Sequence, residues 1–463
     1  VKVAGTTLVN EMTVNENLKL TNLGANGSLQ ASGGLVLDSG KELTLTLGGN
    51  GAALTGTTIS AEKNSTVVVD TNNNDATWST AFAGTTLNGT EIVLTKQGAG
   101  TLVLDANIGS VERVNIANGT LALAMIGGAT ETIFDKTITG AGTLAKVGAG
   151  TVVISDQNLL FTGETQINGG ALKLTNADAI GAGKLTINAD GEAILAFTTG
   201  EFKNIVEGKG KLTIDVGVGG KMNLSSNNRG FEGTLNVASG TAIASNTKSL
   251  GENTNIASGA ILEVTAAELS SKFTGEGTLN VISESGKTVK MSGNFDGFAG
   301  TFNVGNGEKS GALEVAHSLN AKINVNLDST LIFNIAEDET ATFGKAIRTT
   351  NQSALKKQGA GTLVLSSQDN KILADEITVE GGTLKVVGAD AIGNSNTKIT
   401  LANDTTFEFV ALPSPARAMP AFAALSVPTA TETFANSVSG TGKTVFLGGG
   451  VVNVTGQNEA TGG

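Results

Sequence analysis

The sequence predicts an all-β chain wound into a β-solenoid, and three observations carry that prediction. First, Lys96-Gln-Gly-Ala-Gly-Thr-Leu-Val-Leu104 returns as Lys146-Val-Gly-Ala-Gly-Thr-Val-Val-Ile154 and as Lys357-Gln-Gly-Ala-Gly-Thr-Leu-Val-Leu365. Each copy joins a Gly-Ala-Gly turn to a short branched apolar run. Second, the next such run follows at a nearly fixed distance: 19 positions from Thr101 to Thr120, 20 from Thr151 to Ala171, 21 from Thr362 to Thr383. A period near twenty, made of a glycine turn plus a strand, is the mark of stacked coils. Third, sustained 3.6-residue periodicity is scarce. The stretch Val264–Phe273 is the one place where a short helix or a turn is expected.

The N-terminal residues 1–90 alternate apolar and polar in Leu18-Lys-Leu-Thr-Asn22, Glu42-Leu-Thr-Leu-Thr46 and Ser65-Thr-Val-Val-Val-Asp70, without the Gly-Ala-Gly signature. They are expected to form irregular coils or a cap, since an open coil exposes core and unpaired backbone. Residues 91–410 hold the regular repeats. Beside the Gly-x-Gly-Thr-Leu strands runs a second type beginning with Phe: Phe161-Thr-Gly, Phe231-Glu-Gly and Phe298-Ala-Gly. Two strand signals about ten residues apart imply two or three strand faces per coil. At roughly 20 to 22 residues per coil, about twenty coils at ~4.8 Å would form a rod on the order of 100 Å long. A longer echo pairs Ala177-Asp-Ala-Ile-Gly181 with Ala389-Asp-Ala-Ile-Gly393. All four prolines, at 413, 415, 420 and 428, fall in one apolar segment. Proline cannot donate to a central ladder, so residues 411–430 read as an insertion. Strands resume in the C-terminal coils 431–463.

These residues resemble the autotransporter-associated β-strand repeat of bacterial autotransporter passengers. That repeat runs Lys-x-Gly-x-Gly-Thr-Leu-x-Leu, a variable stretch, Phe/Tyr-x-Gly-x-Thr-x-Val/Ile, then Gly-Gly/Thr-Leu-x-Leu. The run Lys146–Leu174 fits it from end to end; Lys357–Val386 fits its first and last parts, with Ala374-Asp-Glu-Ile-Thr-Val in place of the Phe-x-Gly element. The resemblance implies a right-handed parallel β-helix displayed on, or secreted from, a Gram-negative cell. The family's translocator barrel is not in this sequence, and no leader precedes Val1, so a mature or excised portion of a longer protein is expected.

Composition narrows the function. Gly occurs 63 times among 463 residues without the period of collagen. A net charge of −12, with no basic stripe carrying interleaved aromatics, argues against nucleic acid. The absence of cysteine removes disulfides, thiolate metal sites and thiol nucleophiles. No apolar run reaches the roughly 20 residues of a spanning helix. His317 is the only histidine and reads as a turn residue. Ser437-Val-Ser-Gly-Thr-Gly-Lys-Thr444 imitates a phosphate loop, but Ser437 replaces the first glycine and a strand follows. Asp70-Thr-Asn-Asn-Asn-Asp75 imitates a calcium loop but lacks its central glycine, and Ala81 stands where the bidentate Glu belongs. Glu337-Asp-Glu339 could supply a glycosidase acid and base, yet the chain has no Tyr and a single Trp for sugar stacking.

The expected function is therefore non-enzymatic, with no cofactor, metal or catalytic residue: an adhesin or stalk. The alternatives are a self-assembling filament, sheath or layer and, less favoured, a polysaccharide-active enzyme. Expected partners are copies of itself or molecules on host or neighbouring cells. Pro413, Met419, Phe422 and Leu425 are the candidate contact residues, because exposed apolar side chains on a loop mark interaction sites.

Overall fold

The computed structural model describes all residues except 4, 25–26, 52–56, 79–91, 105–107, 125–129, 246–249, 266, 284–286, 394, 413–430, 449–450 and 463. The chain is a parallel β-solenoid of about 18 turns, and its contacts divide it into two units, Val1–Asn236 and Val237–Gly463. Its strands are short, and Ala389–Ala391 forms a 3-10 turn. Among its described residues the Val264–Phe273 stretch holds no helix. Strand Ile261–Thr265 ends there, and Glu268–Leu269 and Lys272–Gly275 follow.

In the first unit each coil visits three faces. Thr137–Gly140, Thr143–Lys146 and Thr151–Ile154 are the three strands of one coil. Leu18–Leu23, Glu42–Leu47, Thr66–Asp70, Val93–Gln97, Arg113–Ile116 and Thr137–Gly140 stack in parallel on the first face. The second face runs from Ala76–Trp78 through Thr101–Leu104 to Val206–Gly208, and the third from Glu131–Phe134 to Lys211–Asp215. Thr101 pairs directly with Thr120, and Thr151 with Ala171. In the second unit Thr362 likewise pairs with Thr383. The spacing read from the sequence is the register of the stack.

Alternation places Leu, Ile, Val and Phe inward. Strand Glu42–Leu47 shows the period-2 pattern, with Leu43, Leu45 and Leu47 buried. The Phe of each Phe-x-Gly element points into the core: Phe161, Phe231 and Phe298 are buried. The glycine two residues on is required by close approach. A Cβ at Gly163 would stand 2.9 Å from the Phe161 ring, and at Gly233 2.8 Å from the Phe231 ring.

The ladders are not continuous. On the first face of the first unit, strand Thr137–Gly140 is followed over the next two coils by turns at 158–161 and 178–182, before a strand returns at Thr199–Phe202. A buried asparagine carries the pairing across this gap. The Ile138 amide donates to Asn158 Oδ1 at 2.6 Å, and Asn158 Nδ2 donates to the Ala179 carbonyl at 2.6 Å. The second unit repeats the device: Ile347 N–H donates to Asn370 Oδ1 at 2.7 Å, and Asn370 Nδ2 donates to the Ala391 carbonyl at 2.5 Å. A side-chain amide has the donor and acceptor of a peptide group, so it replaces a strand residue without leaving buried backbone unpaired. The Ala-Asp-Ala-Ile-Gly echo is the turn that receives this amide, with Ala179, Ile180, Ala391 and Ile392 all buried.

On either side of the proline-bearing segment, Lys398–Leu401 pairs with Val438–Gly440 and Thr406–Val410 with Lys443–Leu447. Its two stems are tied by one carboxylate. Leu412 N–H donates to Glu432 Oε2 at 2.8 Å, and Ala389 N–H to Glu432 Oε1 at 2.6 Å.

Replacing Asn158 by Ala removes both amide bonds and strands a buried N–H and a buried C=O. It should lower unfolding stability by about 2 kcal/mol, read as a fall in the urea midpoint at unchanged slope. An unchanged midpoint would show that the amide does not carry the ladder.

Candidate functional site

Several sequence candidates resolve into turn chemistry. His317 is exposed in the bend after strand Ala312–Val315. The 437–444 segment is strand, tight turn and strand, without a helix N-terminus. In the 70–75 loop, Asp70 Oδ1 accepts from Asn72 N–H at 3.0 Å and Asp75 Oδ1 from Thr101 N–H at 2.7 Å. Those carboxylates hold the loop and the following coil. Glu337, Asp338 and Glu339 form an exposed turn, with Asp338 at φ 64°. Pro413, Met419, Phe422 and Leu425 lie outside the described residues. Among the described residues, no group of three His, Asp or Glu side chains is arranged to hold a metal. No helix there is long and apolar enough to cross a membrane.

The constellation that recurs is built on the repeat lysine, whose role the sequence pattern alone leaves unassigned. Lys96, Lys146 and Lys357 are at most 1 % exposed. Each occupies an inward slot of a ladder otherwise held by apolar residues: Lys96 between Val69 and Ile116, Lys146 between Leu123 and Ile167, Lys357 between Phe333 and Val379. The methylene stem packs as core, and the ammonium reaches the corner of the coil. There Lys146 Nζ donates to the carbonyls of Val147 at 3.0 Å, Gly148 at 2.7 Å and Gly169 at 3.0 Å. Lys357 Nζ donates to Gln358 at 2.7 Å, Gly359 at 2.9 Å and Gly381 at 2.9 Å. Lys96 Nζ makes the same three bonds to Gln97, Gly98 and Asn118, at 2.8, 2.8 and 3.0 Å.

Two carbonyls come from the lysine's own turn and one from the turn of the next coil. All three ammonium hydrogens are used, and two successive corners are riveted together. The glycine beside the third carbonyl is dictated by this cage. Gly119 and Gly170 sit at φ 68° and 64°, and a Cβ there would lie 2.7 and 2.8 Å from the lysine Nζ. Burial pushes the Lys96 and Lys357 ammonium groups down to about 8, with Asp70 and Asp75 opposing the shift at Lys96; burial lowers Lys146 as well.

Outward faces carry ladders of like or paired residues. In the second unit, Asn303 Nδ2 donates to Asn280 Oδ1 at 2.8 Å and Asn324 Nδ2 to Asn303 Oδ1 at 2.9 Å, the amide ladder that the Asn content favours. In the first, Lys184 stands between Glu207 at 2.9 Å and Glu164 at 3.6 Å, and both carboxylates raise its pKa. Three cavities open where a ladder begins. One of about 260 Å³ borders strand Glu131–Phe134, one of about 350 Å³ borders Thr199–Phe202, and one of about 430 Å³ borders Thr340–Phe343.

Residues 94–123, 144–174 and 355–386 match the family model described as passenger-associated-transport-repeat. In those three stretches the chain is similar to passenger-type repeats. Each matched stretch begins within two residues of a caged lysine and runs through the glycine turn that caps it. Over 331 residues the chain is 26 % identical to a protein named "Adhesin BmaC autotransporter" from Brucella suis biovar 1 (strain 1330), an alignment covering 66 % of this chain and 8 % of that protein. The chain therefore spans a small part of the relative's length. No solved structure matches it.

Lys357→Met keeps the apolar stem and deletes three hydrogen bonds to half-buried carbonyls, which should cost about 2 kcal/mol. The pH dependence has a definite sign. The folded pKa of about 8 lies below the ordinary lysine value of 10.5, so between those values the unfolded chain holds more protons and unfolding takes protons up. The desolvation penalty, complete below pH 8, is relieved as pH rises. The stability gap between wild type and Lys357→Met should widen from pH 8 to pH 10 in denaturant titrations. A gap unchanged over that range would mean that the carbonyl cage offsets burial.

Proposed function

We propose that this chain is a non-enzymatic stretch of a cell-surface or secreted passenger of a Gram-negative bacterium, acting as an adhesin or stalk. The observation that carries the reading is the similarity to an adhesin autotransporter across two thirds of the chain. The fold supports it. A stack whose corners are riveted by lysine and whose gaps are bridged by asparagine presents long outward ladders on a rigid support, and rigid scaffolds carrying surface loops are what binding proteins use. The acidic net charge of −12 favours protein or glycan surfaces over nucleic acid. Its partners would be molecules on host or neighbouring cells.

The test is binding of protein-coated beads to epithelial cells and to neighbouring bacteria, alongside electron micrographs over a concentration series. Saturable bead binding with separate particles at every concentration is expected of an adhesin. No binding to any surface, with separate particles, would leave the stalk role. Filaments or sheets growing with concentration would favour the self-assembling alternative. Replacing residues 413–430 by a short glycine linker, with Leu412 and Glu432 kept to hold the stems, should abolish bead binding if Pro413, Met419, Phe422 and Leu425 are the contact.

A further inference from the structure

We propose that the cleft beneath strand Thr199–Phe202 is a strand-addition site for an extended peptide with an apolar centre and basic flanks. The argument starts from the ladder. This strand is the first of its sheet, paired on one side only, with Lys221–Leu224. Lys221 N–H bonds to the Thr198 carbonyl at 3.0 Å. In a parallel pair that phase turns residues 198, 200 and 202 towards Lys221–Leu224 and aims the N–H and C=O groups of Thr199 and Glu201 the opposite way. Among the described residues neither of these outward pairs has a backbone or side-chain partner. The coil beneath contributes the 176–181 turn in place of a strand, and Asn204 meets it instead, donating to the carbonyls of Gly181 at 2.9 Å and Gly183 at 2.6 Å.

Between turn and strand lies the cavity of about 350 Å³, its walls including Leu159, Ala177, Ala182, Asp178 and Glu201. Leu159 and the adjacent Leu160 are 65 % and 71 % exposed, two apolar side chains side by side on the turn. Thr199 and Gly200 are exposed too, and Gly200 presents no side chain to block an approaching backbone. A row of unpaired amide donors and carbonyl acceptors is complemented by another extended backbone, which is how peptides add to sheet edges. Leu159, Ala177 and Ala182 would take the central apolar side chain. Asp178 and Glu201 would face basic flanks, Lys203 being held beside Glu201 at 3.6 Å.

The other two ladder starts that border a cavity are poorer sites. At Thr340–Phe343 the outward Thr342 amide is already taken by Ser318 Oγ at 2.8 Å, and Glu131–Phe134 adjoins residues outside the described set. The proposal is independent of the adhesive reading, since a stalk or an adhesin could equally carry it and cell binding is not its readout.

The test uses the whole chain and fluorescein-labelled pentapeptides of the form Lys-x-Val-x-Lys, followed by anisotropy and by hydrogen exchange at Thr199 and Glu201. Glu201→Pro deletes one outward N–H while sparing the bonds to Lys221–Leu224, and edge strands tolerate proline there. Leu159→Asp alters the apolar wall without touching the ladder. Expected are saturable binding to wild type, slowed exchange at both amides when peptide is bound, and at least tenfold weaker binding to each variant, with unchanged melting. Binding to Glu201→Pro as tight as to wild type would overturn the proposal. So would failure of every peptide in the set to bind, or full protection of both amides without peptide.

Discussion

Everything in this chain depends on one obligation: each coil must hand its backbone hydrogen bonds to the coil above. A stack of coils has little core per turn, so pairing cannot be abandoned locally and recovered by bulk burial. Where strands run, parallel ladders meet the obligation. Corners and gaps do not have that option, and there the sequence spends polar side chains inside the core. Lys96, Lys146 and Lys357 meet it at the corners with three hydrogens each. Asn158 and Asn370 meet it at the gaps with one amide each.

These two devices are not interchangeable, and chemistry decides which goes where. A gap in a ladder leaves one donor below and one acceptor above, which a neutral amide matches. A glycine corner leaves several carbonyls converging, with no donor among them, which an ammonium matches. The methylene stem of lysine adds the core volume that leucine or isoleucine would have given at the same slot. Arginine would bring a wider planar head to a site where a single nitrogen sits 2.7 to 3.0 Å from all three oxygens of the Lys146 cage. The depressed pKa of Lys96 and Lys357 is the cost of putting that charge in the core.

How much of this is legible in the sequence follows from the same physics. The register is legible to the residue: Thr101 faces Thr120 and Thr362 faces Thr383, because a glycine corner fixes the start of each strand. The proline segment is legible as an expected insertion, because proline cannot join a ladder, and the strands on either side of it pair in parallel. The interruptions are not. Phe161-Thr-Gly reads as the opening of a strand, since a buried phenylalanine looks alike on a strand and on a turn. What distinguishes it is Asn158 three residues earlier, a signal visible only once that amide is seen bonding to coils on both sides. The lysine is visible in all three copies of the Lys-x-Gly-Ala-Gly repeat, yet spacing alone marks it as a boundary and hides that it is buried. Of the contact site expected on the 411–428 loop, the structure describes the stems, held by Glu432, and not Pro413, Met419, Phe422 or Leu425.

The interruptions also bear on where a solenoid of this kind can bind. A continuous ladder has no free backbone groups except at its ends, so its faces recognise partners through side chains alone. A gap changes that. It ends one sheet, begins another, and leaves the first strand of the new sheet with an edge inside the stack, sheltered by the coil beneath. Large surfaces cannot reach such an edge, which guards it against edge-to-edge aggregation. A single extended segment can. Asn158 keeps the gap stable and Gly200 keeps the new edge open, so the same departure from regularity that costs the core a strand gives the surface a backbone-lined cleft.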